Sequence, residues 1–392
     1  MGSNPRIMNR FNRYPTRQPR HRIKSFDPSF LVKNGTNGHT PATETVYSIR
    51  NSFSDFGFQN QLMNNINYRQ FPKPTPIQDQ VIPLLLTGKD VVGLANTGTG
   101  KTASFLLPLI QKVSQDRSQK VLIMAPTREL ATQIEEELRL FSREMRIYSA
   151  LCIGGVGING QIHRLRFNPN FVIGTPGRLK DLQQQGKISF TEFNNVVLDE
   201  VDRMLDMGFI HDMTQILSAL PVRRQSAFFS ATASPEVLRI MNRFLTQPTT
   251  ISIKTNTVLT NITQEVVKTN GQDKVNVLHD LLVQQGFDKV LVFGRTKWGL
   301  EKLANDLSRR GFAVASIHGN KSQGQRKRSL EEFKSNRVKV LLATDVASRG
   351  LDIDNITHVI NFDLPESYDD YIHRIGRTGR ANKKGKAVTL IP

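Results

Sequence analysis

The residues best placed to do chemistry form one short stretch, Ala95-Asn96-Thr97-Gly98-Thr99-Gly100-Lys101-Thr102. It follows Asp90-Val-Val-Gly-Leu94, which reads as a buried strand, and precedes Ala103-Ser-Phe-Leu-Leu-Pro-Leu-Ile110, which opens like a helix. Between a strand and a helix, glycines let backbone N–H groups turn towards anionic oxygens, and the helix N-terminus adds partial positive charge. In such a loop Lys101 reaches the β- and γ-phosphates of a nucleotide, and the Thr102 hydroxyl is a ligand for Mg²⁺. The strict pattern G-x-x-x-x-G-K-[ST] has one departure, Ala95 in place of its first glycine.

Other stretches supply what a phosphate loop lacks. Asp199-Glu-Val-Asp202 follows the apolar run Val196-Val-Leu198, which places Asp199 to hold Mg²⁺ through water and Glu200 to orient and deprotonate an attacking water. His373-Arg-Ile-Gly-Arg-Thr-Gly-Arg380 sets Arg377 and Arg380 three residues apart, close enough to neutralise one transferring phosphoryl group from across a cleft; a surface basic patch is the plainer alternative. Thr344 to Asp352 follows another apolar run and offers Thr344 to phosphate and Asp352 to a ribose hydroxyl. Phe71-Pro-Lys-Pro-Thr-Pro-Ile-Gln78 has an aromatic face for a base and an amide that matches adenine, although alone it reads first as a proline-stiffened turn. Thr127, Arg128, Gly155, Thr175, Gly177 and Arg178 are suitable donors for successive phosphates of a polynucleotide. The hydroxyls of Ser230-Ala-Thr232 are placed to couple the acidic cluster to a neighbouring domain.

These residues need strands to carry them. Apolar runs at 91–94, 121–125, 171–173, 196–198 and 227–229, then at 290–293, 313–317, 338–342, 357–362 and 386–391, alternate with helical patterns. Runs apolar on both faces imply parallel strands between helix layers, and in open parallel sheets ligands collect at the carboxyl ends. Two such series imply two tandem α/β domains and a duplicated unit, although their residues do not visibly align. The expected division is a basic disordered arm over 1–52, a first domain over 53–253, a linker over 254–263 and a second domain over 264–392. The arm is rich in Arg, Asn, Pro, Ser and Thr and has too few apolar residues to offset the entropy of ordering.

Composition fits the same picture. A chain of 392 residues can bury two cores, and the formal charge of +19 favours a polyanionic partner. Cys152 is the only cysteine, which excludes an internal disulfide and makes a reducing cytoplasm the simplest setting. No apolar run is long enough for a membrane span, so no membrane partner is expected. The basic amino terminus lacks the apolar core of a secretory signal, while it shares the acid-poor character of organelle presequences.

Taken in order, these motifs make residues 53 to 391 resemble a DEAD-box ATP-dependent RNA helicase of superfamily 2. The resemblance implies two RecA-like domains, each a mostly parallel sheet flanked by helices, with ATP and Mg²⁺ as cofactors and RNA as partner. Phe53 corresponds to the isolated upstream aromatic, Phe71 and Gln78 to the adenine-recognising motif, and Gly98 to Thr102, within 95–102, to the phosphate loop. It further implies that Gly350 and Asp352 bind nucleotide, that Arg377 and Arg380 are arginine fingers and that His373 bridges the domains. Thr127, Arg128, Gly155, Thr175, Arg178, His318, Gly319 and Thr344 would touch RNA sugar and phosphate. The enzyme would act as a monomer in the cytoplasm, unwinding short duplexes or remodelling ribonucleoprotein partners. Two departures stand out: Val201 replaces the usual alanine, and Gln70 stands where glycine is normal. The chain ends at Pro392, so a terminal helix and any specificity tail would be missing or never encoded. A DNA translocase with the same core and a non-catalytic RNA annealer are the competing readings.

Overall fold

The structure is a computed structural model that describes residues 47–96, 98–253, 261–348, 353, 355–379 and 383–392. Two sheets organise the chain. The first contains β1 (Val91–Ala95), β2 (Val121–Met124), β3 (Ser149–Cys152), β4 (Phe171–Gly174), β5 (Asn195–Leu198), β6 (Gln225–Ser230) and β7 (Thr249–Ile253), in the order β3-β4-β2-β5-β6-β1-β7. The second contains β8 (Ile262–Lys268), β9 (Val290–Phe293), β10 (Val314–Ile317), β11 (Val340–Ala343), β12 (His358–Asn361) and β13 (Gly385–Ile391), in the order β10-β11-β9-β12-β13-β8. Every neighbouring pair runs parallel. Counted from its own first strand, the second sheet reads 3-4-2-5-6-1, the winding of the first without β7. The duplicated unit expected from two apolar series is therefore present in the topology.

The central strands are buried on both faces because both faces carry apolar side chains. In β2, Val121 and Ile123 enter one core with Phe105, Ile110, Ile134 and Leu138, while Leu122 and Met124 enter the opposite core with Leu198, Met213 and Ile216. Each such side chain contributes about 1.5–3 kcal/mol when fully buried. The edge strands differ: β7 alternates between half-buried and exposed residues, which is why it lies outside the apolar series. β8 begins at Ile262, so the last two residues of the expected linker belong to the second sheet; residues 254–260 lie outside the described residues.

Residues 1–46 of the expected arm also lie outside the described residues. Its last residues are anchored, contrary to that expectation, because Asp79 gathers four donors from them. Its carboxylate accepts from Tyr47 Oη at 2.7 Å, Arg50 N at 2.9 Å, Asn51 N at 3.0 Å and Asn51 Nδ2 at 2.7 Å. Burial works to raise the Asp79 pKa, but these hydrogen bonds outweigh it and hold the carboxyl below its ordinary range.

Gln70 closes the helix Asn60–Tyr68 in the place that glycine favours. Its N–H donates to Asn67 O at 2.9 Å, and the Phe71 N–H donates to Ile66 O at 3.4 Å, the paired bonds of a Schellman turn. That turn requires a left-handed residue, and Gln70 has φ 55°. The departure from glycine leaves the turn intact and adds strain. Gln70→Gly is expected to stabilise the protein by about 1 kcal/mol, read as a higher urea midpoint with an unchanged slope.

Candidate active site and nucleic-acid cleft

β1 ends at Ala95, and the chain turns through Gly98 at φ 82° and Gly100 at φ 93° before the helix Lys101–Gln115 begins. Ala95 sits in extended strand, so a glycine is unnecessary there, and its carbonyl accepts from Lys101 Nζ at 2.6 Å. Gly100 has no such latitude: a Cβ there would lie 2.5 Å from Gln78 Nε2 and 2.9 Å from Thr75 Oγ1. Gln78 is fully buried, its Oε1 accepting from Thr75 N at 3.0 Å and its Nε2 donating to Gly100 O at 3.1 Å. The amide thus caps its own helix and braces the phosphate loop, a role the sequence reading did not assign. Thr99 Oγ1 donates to Asn96 O at 2.8 Å and closes the loop from within.

β5 delivers the acidic cluster. Glu200 adopts a left-handed conformation, φ 54° and ψ 58°, at the start of the helix Val201–Asp206. Burial pushes the Asp199 carboxyl up to about 7, against the attraction of Lys101 and with the repulsion of Glu200 and Asp202 behind it. Burial would also raise Glu200, yet Arg203, Lys101 and Arg377 together hold it below its ordinary value, and Arg203 Nη1 donates to Glu200 Oε2. Glu200 is therefore held in its charged form, whereas burial favours the neutral form of Asp199. Asp202 Oδ2 accepts from Ala231 N at 2.9 Å, Thr232 N at 3.0 Å and Thr232 Oγ1 at 3.3 Å. The small polar turn meets the acidic cluster mainly through its backbone, and the buried Ser230 hydroxyl has no hydrogen-bond partner among the described residues. Val201 is fully buried among Met204 and Leu198, so its extra volume is absorbed by the core.

Three side chains from the second half complete the site. Arg377, buried after the helix Tyr368–Ile375, contributes to the field on Glu200, and its Nε donates to His373 O at 3.3 Å. Arg326 Nη2 donates to Glu129 Oε2 at 2.7 Å, and Gln323 Nε2 donates to Glu129 Oε1 at 3.3 Å. Both charged side chains of that pair are buried, at 9% and 5% exposure, so the contact between the halves excludes water. Beside it lies a cavity of about 450 Å³ that brings together Thr127, Arg128, Thr175, Arg178, Gly319 and Arg326. The Arg128 guanidinium packs against Gly154 and Gly155, where a Cβ would displace it.

Several expected site residues play other parts. Phe53 is 4% exposed, its ring edge-on to Phe56 and Phe71, so it supports Phe71 and offers no free face to a base. Phe71 is half-buried, with the Arg69 guanidinium 5.9 Å from its ring centre. The Thr127 hydroxyl accepts from Leu130 N at 3.2 Å and caps the helix Arg128–Phe141. His318 is buried, its Nε2 2.6 Å from Glu301 Oε1, and steadies the turn that presents Gly319. Thr344 is buried, with its N–H on Ile317 O at 3.4 Å, and His373 is half-buried. Thr97, Gly350, Asp352 and Arg380 lie outside the described residues. Glu129 and Arg203 were missed as individuals, since each looks like an ordinary charged helix residue.

Gly100→Ala is expected to cost about 1–2 kcal/mol of stability through the left-handed backbone alone and to weaken nucleotide binding. Ala95→Gly, at an extended position, leaves nucleotide affinity unchanged; equilibrium titration with a fluorescent ATP analogue separates the two.

The comparisons with known proteins agree with this geometry. The DEAD/DEAH box helicase family matches residues 75–240, and the helicase conserved C-terminal domain matches residues 273–382. The chain is 45% identical to the DEAD-box ATP-dependent RNA helicase CshA of Bacillus subtilis over 342 residues, 87% of this chain and 69% of that protein. Among solved structures it is similar to S. cerevisiae Dbp5 bound to RNA and ADP BeF3, with 31% identity, 87% of this chain and 90% of that chain covered, and a TM-score of 0.77. A DEAD box protein from Methanococcus jannaschii is 39% identical, with 87% and 93% covered and a TM-score of 0.52. Among the described residues no helix is long and apolar enough to cross a membrane. With phosphate loop, acidic cluster and arginine motif on two equivalent sheets, the chain belongs to the DEAD-box ATP-dependent RNA helicases, which are ATP-hydrolysing enzymes.

Proposed function

We propose that this enzyme holds ATP between its two halves and uses hydrolysis to grip and release one strand of RNA. The observation that carries the reading is the position of Glu200, buried beside Lys101 and in the field of Arg377 from the opposite sheet. Lys101 and the N–H groups of the loop Ala95–Thr102 receive the phosphates, Phe71 offers its ring to the base, and Gln78 acts on the nucleotide through the loop that it braces. Glu200 orients the attacking water and accepts its proton. Arg377, with Arg380, neutralises charge that develops on the transferring phosphoryl group, an effect on the order of 10³–10⁵ in rate for such arginines. Asp199 and Thr102 fit Mg²⁺, because a buried carboxyl pushed up to about 7 is one that a dication would ionise. When bound, Mg²⁺ supplies charge stabilisation to the phosphates.

RNA occupies the cleft lined by Thr127, Arg128, Thr175, Arg178 and Gly319, and it is read through its backbone. The Glu129–Arg326 pair forms only when the halves meet, so ATP and RNA, each favouring the closed form, raise one another's affinity. Closure bends the gripped strand and displaces its partner over a few base pairs, and hydrolysis reopens the cleft. The similarity to Dbp5, solved with RNA and ADP BeF3, supports a fold that holds RNA and nucleotide at the same time. The enzyme acts as a monomer in the cytoplasm, on RNA and on RNA–protein complexes.

Glu200→Gln is expected to lower RNA-dependent phosphate release by about 10²-fold or more while ATP-dependent RNA binding persists. ATP turnover indifferent to RNA in the parent enzyme would overturn the reading. Glu129→Ala or Arg326→Ala should each weaken RNA binding in the presence of ATP on the order of 10²-fold, because each leaves a charge buried without its partner. The double variant should bind no worse than either single one, a non-additivity measured by a double-mutant cycle.

A further inference from the structure

A second groove lies along the free edge of the first sheet, beside β3, and the ATP site and RNA cleft make no use of it. Its volume is about 660 Å³, and Arg139, Tyr148, Arg164 and Phe167 line it. Tyr148 is 63% exposed and Phe167 69% exposed, an uncommon pair of open aromatic faces beside two guanidinium groups. Beneath them Glu135, whose side chain is 4% exposed, accepts from Ser149 Oγ at 3.0 Å and pairs with Arg139 at 3.0 Å and Arg164 at 3.9 Å. One buried carboxylate thereby orients both arginines and still leaves 59% and 54% of their side chains in solvent. His163 stands edge-on to Phe167, with ring centres 4.9 Å apart.

The groove and the cleft are opposite ends of the same two elements. Tyr148 immediately precedes β3, and Cys152 at the other end of β3 leads to Gly154 and Gly155, which hold Arg128 in the cleft. The helix Ile158–Arg166 then runs on to Phe167 at the groove. Tyr148 and Gly154 flank the four-residue strand β3, a span of roughly 15–20 Å at the rise of extended chain. Among the described residues no strand pairs beyond β3, so the groove and the cleft lie at the two ends of an edge strand.

We propose that this groove is an accessory seat for single-stranded RNA that extends from the cleft, with bases stacked on Tyr148 and Phe167 and phosphate held by Arg139 and Arg164. The proposal rests on the RNA cleft argued above. Stacking of this kind accepts any base, because every base has a π-face, and guanidinium groups fixed by a buried acid present their remaining N–H groups to phosphate without further ordering. A strand anchored there keeps its hold on one end of the RNA while the cleft opens and closes on the other. A peptide strand added to the β3 edge would depend on backbone pairing and not on the two ring faces.

The test compares two labelled RNA strands, on the order of 6 and 20 nucleotides, so that the shorter fills one site and the longer spans both. Binding to the full chain is measured by fluorescence anisotropy with a non-hydrolysable ATP analogue. In Tyr148→Ala/Phe167→Ala the affinity for the long strand should fall about tenfold or more while that for the short strand and the urea midpoint stay at the parent's values. In Arg139→Gln/Arg164→Gln the long strand should show a shallower salt dependence. Long-strand affinity untouched by the aromatic substitutions, or equal losses on both strands, would overturn the accessory seat alone. A parent protein that binds neither strand would overturn the cleft reading as well.

Discussion

Glu200 is a carboxylate almost wholly withdrawn from solvent, and the cations that hold it in its charged form come from both halves. Lys101 and Arg203 belong to its own half, and Arg377 belongs to the other. Burial alone would neutralise such a group; Arg203 and Lys101 oppose that most, and Arg377 from the other half adds to them. The first half has the phosphate loop and the buried acid; the second has the arginine that the proposed mechanism sets against the transferring phosphoryl group. Neither sheet contains a complete site.

The parallel topology makes that division workable. Because every strand in each sheet points the same way, β1, β2, β4, β5 and β6 deliver their following loops to one edge, and β9, β10 and β11 do the same in the second sheet. Closure therefore brings two such edges together. The Glu129–Arg326 pair shows how tightly they meet: both side chains give up water, and Gln323 occupies the second oxygen of the acid. Such a contact contributes little to the folding of either half, since a buried pair barely repays its desolvation. Its effect is to make the juxtaposition specific in register.

Much of this was legible in the chain because phosphate chemistry leaves compact signatures. A glycine-rich turn before a lysine, an acidic pair after an apolar run and spaced arginines each carry their reason in a few consecutive residues, and central strands announce themselves by being apolar on both faces. What stayed hidden depends on distance. Asp79 reads as one acid on a helix until Tyr47, Arg50 and Asn51 fold back to it. Phe53 reads as a free aromatic until Phe56 and Phe71 enclose it. The amide of Gln78 matches adenine in composition, yet its bonds to Thr75 and Gly100 depend on a loop 22 residues away. Edge strands β3, β7 and β8 escaped the apolar series because a strand with one open side need not be apolar throughout.

The extra strand of the first sheet carries a mechanical implication. β7 pairs with β1 in register from Val91↔Thr249 to Ala95↔Ile253, and Ile253 is the last described residue before the second half. The final rung of that ladder therefore joins the end of the first half to the residue that opens the phosphate loop. A force directed along β7 would load the rungs of this ladder together, and β1 would carry its share of the strain to the nucleotide seat.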